Sequence, residues 1–230
     1  MSDRRENSLL FSLNQLKDLQ EERLAEEAAE VRAKEEAARR AIEDEERRKR
    51  EGLTHVVVDD ASTADGTRGP VVLPGVGHFR AAKEALVARG LWAFLEEAIA
   101  AQRPVVGICL GLQLLAEGSE EAPGEAGLGA LSGVAARLPA GVKVPHMGWS
   151  EVTPANAPSY LPEAPRYLYF VHSFALPSGP ETALVATHGA PFAAAAARGN
   201  VFGVQAHPER SGRAGQRFLG DLLRNLGSMT

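Results

Sequence analysis

Between Arg103 and Ala116 the chain reads Pro104-Val105-Val106-Gly107-Ile108-Cys109-Leu110-Gly111-Leu112-Gln113-Leu114-Leu115, twelve residues without a charge. Its first half is β-branched and apolar, the pattern of a strand buried on both faces, which belongs in the parallel part of a sheet covered by helices. Its second half, Leu110 to Glu117, is made of helix formers. Strand must therefore pass into helix at Cys109 with no loop between. Two earlier runs, His55-Val56-Val57-Val58 and Pro70-Val71-Val72-Leu73, read as further buried strands, and Arg80 to Gln102 reads as a helix interrupted near Gly90. The order strand, helix, strand predicts an α/β fold. Beyond Gly118 the elements shorten, with candidate strands at Gly133–Leu138, Ser150–Thr153, Tyr167–His172, Ala183–His188 and Val201–Gln205. A closing helix is expected from about Ser211 to Leu226.

The composition changes at Gly52. Of the 52 residues up to that point 27 are charged, against 28 of the remaining 178, and the segment holds no proline and no glycine before Gly52. Ala, Glu, Arg, Lys and Leu lose little side-chain freedom in a helix, so residues 8–50 predict one long helix of roughly 60 Å. Glu35 with Arg39 and Glu43 with Arg47 fall four apart on its faces, pairs worth a few tenths of a kcal/mol each. Its apolar positions, from Leu9 to Leu19 and then Leu24, Val31 and Ile42, sustain no heptad. The expected organisation is a charged helical extension over 1–52, solvated or offered to a coiled-coil partner, and a domain over 53–230.

Several classes of protein drop out. No apolar run approaches the roughly 20 residues that span a bilayer, and Met1 to Arg5 leads into no signal-peptide core, so a cytoplasmic protein is expected. A single cysteine, Cys109, excludes an internal disulfide and any multi-cysteine zinc site. No metal or cofactor is expected. The net charge of −5 argues against general binding to nucleic acid.

The cysteine is left to be explained by packing or by reactivity, and its glycine frame favours reactivity. On a sharp strand-to-helix turn a nucleophile needs small neighbours, here Gly107 and Gly111, and the helix start offers amides and a positive dipole end that favour the thiolate. The Leu110 N–H is placed to donate to an oxyanion formed when Cys109 attacks a carbonyl. Of the six histidines, His207 stands out. It follows the strand Val201–Gln205 and precedes Pro208-Glu209, so Glu209 can bond one ring nitrogen while the other faces the sulfur. Cys109, His207 and Glu209 form a candidate triad in chain order.

Gly107-Ile108-Cys109-Leu110-Gly111-Leu112-Gln113 together with Gly203-Val204-Gln205-Ala206-His207-Pro208-Glu209 resembles the class I (triad) glutamine amidotransferases. Pro74-Gly75-Val76-Gly77-His78-Phe79 is similar to that family's oxyanion loop. Four stretches resemble one branch of it, the glutaminase subunits of imidazole glycerol phosphate synthase of histidine biosynthesis. They are Pro74 to Phe79, Glu117 to Glu121, Val144-Pro145-His146-Met147-Gly148-Trp149, and Tyr169-Phe170-Val171-His172-Ser173-Phe174. The resemblance covers about residues 54–226 and implies a mixed sheet flanked by helices. It implies that glutamine is the substrate, hydrolysed through a thioester on Cys109 with His207 carrying the proton to ammonia. It further implies that Gly75, Val76, Gly77 and Leu110 serve the oxyanion, and that Gln113, Ser173 and Phe174 hold the amino-acid end of glutamine. His146, Met147 and Trp149 would face a (β/α)8-barrel synthase subunit that receives the ammonia.

The N-terminus departs from the family pattern. Members begin with a strand, a loop reading approximately Asp-Tyr-Gly-x-Gly-Asn, and a helix, where this chain has its charged segment. Without that strand a sheet edge is left for something else to cover, for which Leu9 to Leu19 is a candidate. Two other readings stay open: a degenerate amidotransferase domain working as an interaction module, and a related glutaminase or γ-glutamyl hydrolase with a different partner. Glutamine-dependent ammonia release and a substrate profile separate the three.

Overall fold

The computed structural model describes residues 55–64 and 66–228. The chain divides into two units, 1–57 and 58–230, and the description below concerns the second. The helix expected over 8–50 lies outside the described residues.

The elements run α1 (Ala61–Ala64), β1 (Val71–Gly75), α2 (Phe79–Ala88), α3 (Leu91–Ala100), β2 (Val105–Cys109), α4 (Leu110–Leu115), β3 (Gly118–Ser119) and β4 (Val134–Arg137). There follow β5 (His146–Glu151), β6 (Thr153–Pro154), β7 (Tyr167–His172), β8 (Phe174–Ala175), β9 (Thr182–His188), β10 (Ala190–Arg198), β11 (Val201–Val204), a 3-10 turn (Pro208–Arg210) and α5 (Gly212–Gly227). The main sheet has the order β1-β2-β11-β10-β9-β6. Its first three strands are parallel and the rest antiparallel, so the expected mixed sheet is what forms. Two smaller sheets, β3-β4-β8 and β5-β7, complete the unit.

Side chains alternate across the main sheet, as a period of two requires. Val106, Ile108, Phe202 and Val204 join one core with Leu168, Phe170 and the α5 residues Phe218, Leu222 and Leu226. Val105 and Val201 join the other, with Phe79 and Leu95 of α2 and α3 and with Leu112 and Leu115 of α4. Helices thus cover both faces of β2 and β11. All five residues of β2 and all four of β11 are buried.

Most expected elements appear within a residue or two, and the helix over 80–102 breaks at Gly90, whose φ of 70° leaves the helical region. Three expectations need correction. His55–Val58 forms no strand: Val56 and Val57 are 70% and 66% exposed. A β-branched run becomes a strand only where a neighbour completes its ladder, and none of the described residues does so. The strand expected at Ser150–Thr153 starts earlier, at His146, because it pairs along its whole length with β7. β10 was not expected at all. It is the longest strand, yet Ala193 to Ala197 carries little strand propensity, and its buried position between β9 and β11 decides its conformation.

Candidate active site

Three parallel strands deliver the site at their carboxyl ends, where α/β sheets hold their ligands. β1 and β2 are in register so that Gly75 lies opposite Cys109, and β11 pairs Val204 with Ile108, three residues before His207. The strand-to-helix turn forms as expected. Cys109 ends β2, caps α4, and takes φ 53° and ψ −104°, a left-handed conformation for a residue with a Cβ. Such a backbone costs on the order of 1–3 kcal/mol and persists only where the surroundings enforce it. Here they do. A Cβ on Gly111 would lie 2.0 Å from the Leu73 carbonyl oxygen, and one on Gly107 would lie 2.6 Å from the Gly111 carbonyl carbon. Only glycine at both places lets α4 start against β1 and β2.

Cys109 is buried, its sulfur 3.8 Å from the Val171 carbonyl oxygen and 3.6 Å from Gln205 Nε2. His207 is buried too, and its Nδ1 lies 2.7 Å from Glu209 Oε1. Its backbone is pinned to β7. His207 N–H donates to the Tyr169 carbonyl at 2.8 Å, while Ser211 Oγ donates to the His207 carbonyl at 2.6 Å and accepts from Tyr169 N–H at 2.9 Å. The other ring nitrogen, Nε2, is buried without a closed hydrogen bond. The Cys109 sulfur is nevertheless the largest influence raising the His207 pKa, Glu209 the next; against the burial that opposes them they bring it to about 9. Burial opposes ionisation of Glu209 as well, but the His207 hydrogen bond and charge, with Arg210, outweigh it and hold the carboxyl below its usual range. At neutral pH the ring is therefore an imidazolium between a carboxylate and a sulfur, the arrangement that supports a thiolate nucleophile and a proton donor for a leaving group.

A cavity of about 270 Å³ opens beside these groups, lined by Pro74, Gly75, Val76, Ile108, His207 and Glu209. Gly75 and Val76 thus meet His207 and Glu209 across one space. Val76 is 76% exposed, and Gly77 takes φ 104° just before α2. Leu110 is the buried first residue of α4. Gln113 lies deeper, its Nε2 donating to the Phe174 carbonyl at 3.0 Å and to Gln205 Oε1 at 3.2 Å. Ser173 stands half-buried between β7 and β8, and its carbonyl accepts from Leu138 N–H. Phe174 turns its ring toward Arg137, 5.8 Å from the ring centre.

On β5 the three residues expected to face a partner part company. Met147 and Trp149 are exposed, at 61% and 56%, with Trp149 edge-on to Tyr169. His146 instead points inward. It is buried, bonded to His172 and Ser150, and stacked on His188 at 4.2 Å between ring centres.

With this geometry in view, the family profile described as glutamine amidotransferase class-I matches residues 23–225. The chain belongs to the class I glutamine amidotransferases. Among its relatives, the imidazole glycerol phosphate synthase subunit HisH of Symbiobacterium thermophilum is 45% identical over 174 residues, 73% of this chain and 81% of that one. HisH of Moorella thermoacetica is 43% identical over 75% of this chain and 85% of its own. HisH of Deinococcus radiodurans is 41% identical over 83% and 88%. A solved glutamine amidotransferase shares the fold with a TM-score of 0.59 at 17% identity, covering 80% of this chain and 93% of that one.

Three further neighbours of the candidate site lie outside the residues expected from the sequence. Ser211 and the Val171 carbonyl reach it through β7, and no local pattern announces either. Gln205 did have a signal: it stands two residues before His207 on an extended segment, and alternate residues share a face. Among the described residues no group of three or more His, Cys, Asp or Glu is placed to hold a metal ion, and no helix is long and apolar enough to cross a membrane.

Proposed function

We propose that this amidotransferase is the glutaminase subunit of an imidazole glycerol phosphate synthase. In that role it hydrolyses glutamine to glutamate and ammonia, and a (β/α)8-barrel synthase subunit uses the ammonia to make imidazole glycerol phosphate and AICAR in the cytoplasm. The observation that carries the catalytic part is the His207 ring, clamped by Glu209 on one nitrogen and raised in pKa chiefly by Cys109 beside the other. The identity of its HisH relatives supports the pathway. In this reading residues 53–230 are the amidotransferase domain and 1–52 a helical extension.

The Cys109 thiolate attacks the side-chain amide carbon of glutamine in the cavity, and backbone N–H groups of Gly75 to Gly77 and of Leu110 hold the oxyanion. His207 gives its proton to the amide nitrogen, the C–N bond breaks, ammonia leaves and a thioester remains. His207, now neutral, takes a proton from water, which attacks the thioester carbon. Glutamate is released, and thiolate and imidazolium are restored. Glu209 keeps the proton on Nδ1 throughout and takes none itself. Gln113, Ser173 and Phe174 fix the amino-acid end of the substrate. Met147 and Trp149, exposed on β5, are the anchors for the barrel subunit; the buried His146 supports them from below.

The test is glutamate release from glutamine with and without the barrel subunit and its substrate. The expected result is slow release alone, faster release in the complex, and loss of both after treatment with a cysteine-directed glutamine analogue. Release that is insensitive to the analogue, or a γ-glutamyl peptide hydrolysed faster than glutamine, would overturn the proposal.

A further inference from the structure

Four kinds of group surround the Cys109 sulfur, and they favour different forms of it. The Val171 carbonyl, 3.8 Å away, can only accept, so it favours the neutral thiol. The His207 imidazolium, with Glu209 behind it, favours the thiolate. The Leu110 amide opens α4 directly after the cysteine. The fourth group, Gln205, is fully buried, and its Nε2 lies 3.6 Å from the sulfur. An amide N–H aimed at sulfur is a stronger partner for the anion than for the thiol. An amide oxygen aimed there would do the reverse, so the effect depends on which way the Gln205 amide is turned.

That orientation is dictated by Gln113. Gln205 Oε1 accepts from Gln113 Nε2 at 3.2 Å, and the same Gln113 nitrogen donates to the Phe174 carbonyl at 3.0 Å. A carbonyl oxygen cannot donate, so Gln113 cannot flip without setting oxygen against oxygen. The Phe174 carbonyl is held in turn by His172 Nδ1 at 3.0 Å, which must therefore carry a proton. Burial, first, and then His146 keep the His172 pKa down to about 3, and burial followed by His188 keeps that of His146 down to about 4, so both rings are neutral at pH 7. His172 Nε2 must then accept, from His146 Nδ1 at 3.0 Å. His146 Nε2 must accept as well, from Ser150 Oγ at 2.8 Å. Every bond from Ser150 on β5 to the sulfur has one permitted direction, and no member can turn over without bringing like poles together.

We infer that Gln205 is a positioning residue for the nucleophile, its amide donor held on Cys109 Sγ by Gln113, whose own amide is turned by the Phe174 carbonyl that His172 holds in place. The inference rests on the reading of Cys109 as the nucleophile. It can still be tested apart from glutamine hydrolysis, because Cys109 is the only cysteine in the chain and its alkylation is unambiguous.

The probe is iodoacetamide, with the alkylation rate of the full chain followed against pH. Gln205→Met keeps the length and removes the donor, and the pH midpoint of alkylation is expected to rise by about one unit, the effect of losing one charge-assisted hydrogen bond. Gln205→Glu keeps the shape and sets a carboxylate against the thiolate, so its midpoint should rise further. In the glutaminase assay kcat should fall about tenfold in the Met variant while KM changes less than about threefold. An unmoved midpoint in either folded variant would overturn the inference. So would failure of both variants to fold, since the amide would then serve the core and not the sulfur. Shifted midpoints in a protein that does not hydrolyse glutamine would uphold the role of Gln205 and sink the proposed function alone.

Discussion

Replacing Glu209 by Gln asks how much of the His207 proton affinity the carboxylate supplies. The contact is short, 2.7 Å from Nδ1 to Oε1, and the ring side is buried while the Glu209 side chain is 43% exposed. Glutamine can present its own oxygen at the same place. The tautomer with the proton on Nδ1 is therefore kept, and what is lost is the difference between a charged and a neutral acceptor, about 1 to 1.5 kcal/mol. That corresponds to roughly a tenfold fall in kcat/KM and to about one pH unit. The sign follows from the direction of the shift. His207 stands at about 9, above its ordinary 6.5, so the imidazolium is lost as pH rises through about 9, and the alkaline limb of activity falls there. Without the carboxylate that limb should move down by about one unit, since Cys109, the larger influence, remains. His207→Ala removes the proton carrier itself and should cost on the order of 10³-fold or more. The measurement is kcat/KM from pH 6 to 10 for both variants with matched melting curves. Equal losses in the two, or an alkaline limb that stays where it was in Glu209→Gln, would show that Glu209 does not set the state of the ring.

Cys109→Ala should abolish glutamine hydrolysis and Cys109→Ser should keep less than about a hundredth of it, because a serine alkoxide is far harder to form with the same base; more than about a tenth remaining in the alanine variant would refute the assignment. Gly111→Ala puts a Cβ 2.0 Å from the Leu73 carbonyl oxygen, and urea unfolding should show a loss of about 3 kcal/mol; a loss below about 1 kcal/mol would mean that α4 and β1 separate easily. His146 and His172 have lowered pKa values, to about 4 and about 3, so the stability they confer is present above about 6.5 and is lost as pH falls toward 4 and 3. Melting temperature should accordingly drop between pH 6.5 and 4, and His172→Asn should flatten that slope; an unchanged slope would contradict neutral burial. In the complex with the barrel subunit, glutamate should form in excess of imidazole product, because residues 1–52 carry no Asp-Tyr-Gly-x-Gly-Asn loop, which the family resemblance places near the ammonia passage; one glutamate per product would show that the loop is dispensable.

What could be read from the sequence was what the chain encodes locally. The turn at Cys109 was legible because its cause lies within five residues: a buried β-branched run, a cysteine and two glycines. His207 and Glu209 were legible because they share a turn only three residues long, where proline fixes the chain between them. β10 was not, because alanine has no strand preference and the nine residues are held extended by their ladders with β9 and β11, the strands directly before and after it, and not by their own residue types. His55–Val58 failed in the opposite direction, as propensity without a partner.

The same distinction divides the site. The atoms proposed to react sit on short motifs, but the groups packed around them arrive by register. His146 meets His172 because β5 and β7 pair those two residues directly, and a slip of one position would turn His146 to the outside and bring Met147 in. Such a slip would also take His146 away from His172, which anchors the Phe174 carbonyl against which Gln113 orients the Gln205 amide. The carbonyl that sets the direction of one N–H at the sulfur is thus held in place through a strand pairing that none of these residue types announces. The exposure of Met147 and Trp149 depends on the same register, since alternate residues of β5 face opposite ways. The pairing that presents the proposed partner face is therefore also the pairing that holds the carbonyl against which the proposed positioning amide is set, and a substitution that shifts it should damage binding and alkylation together.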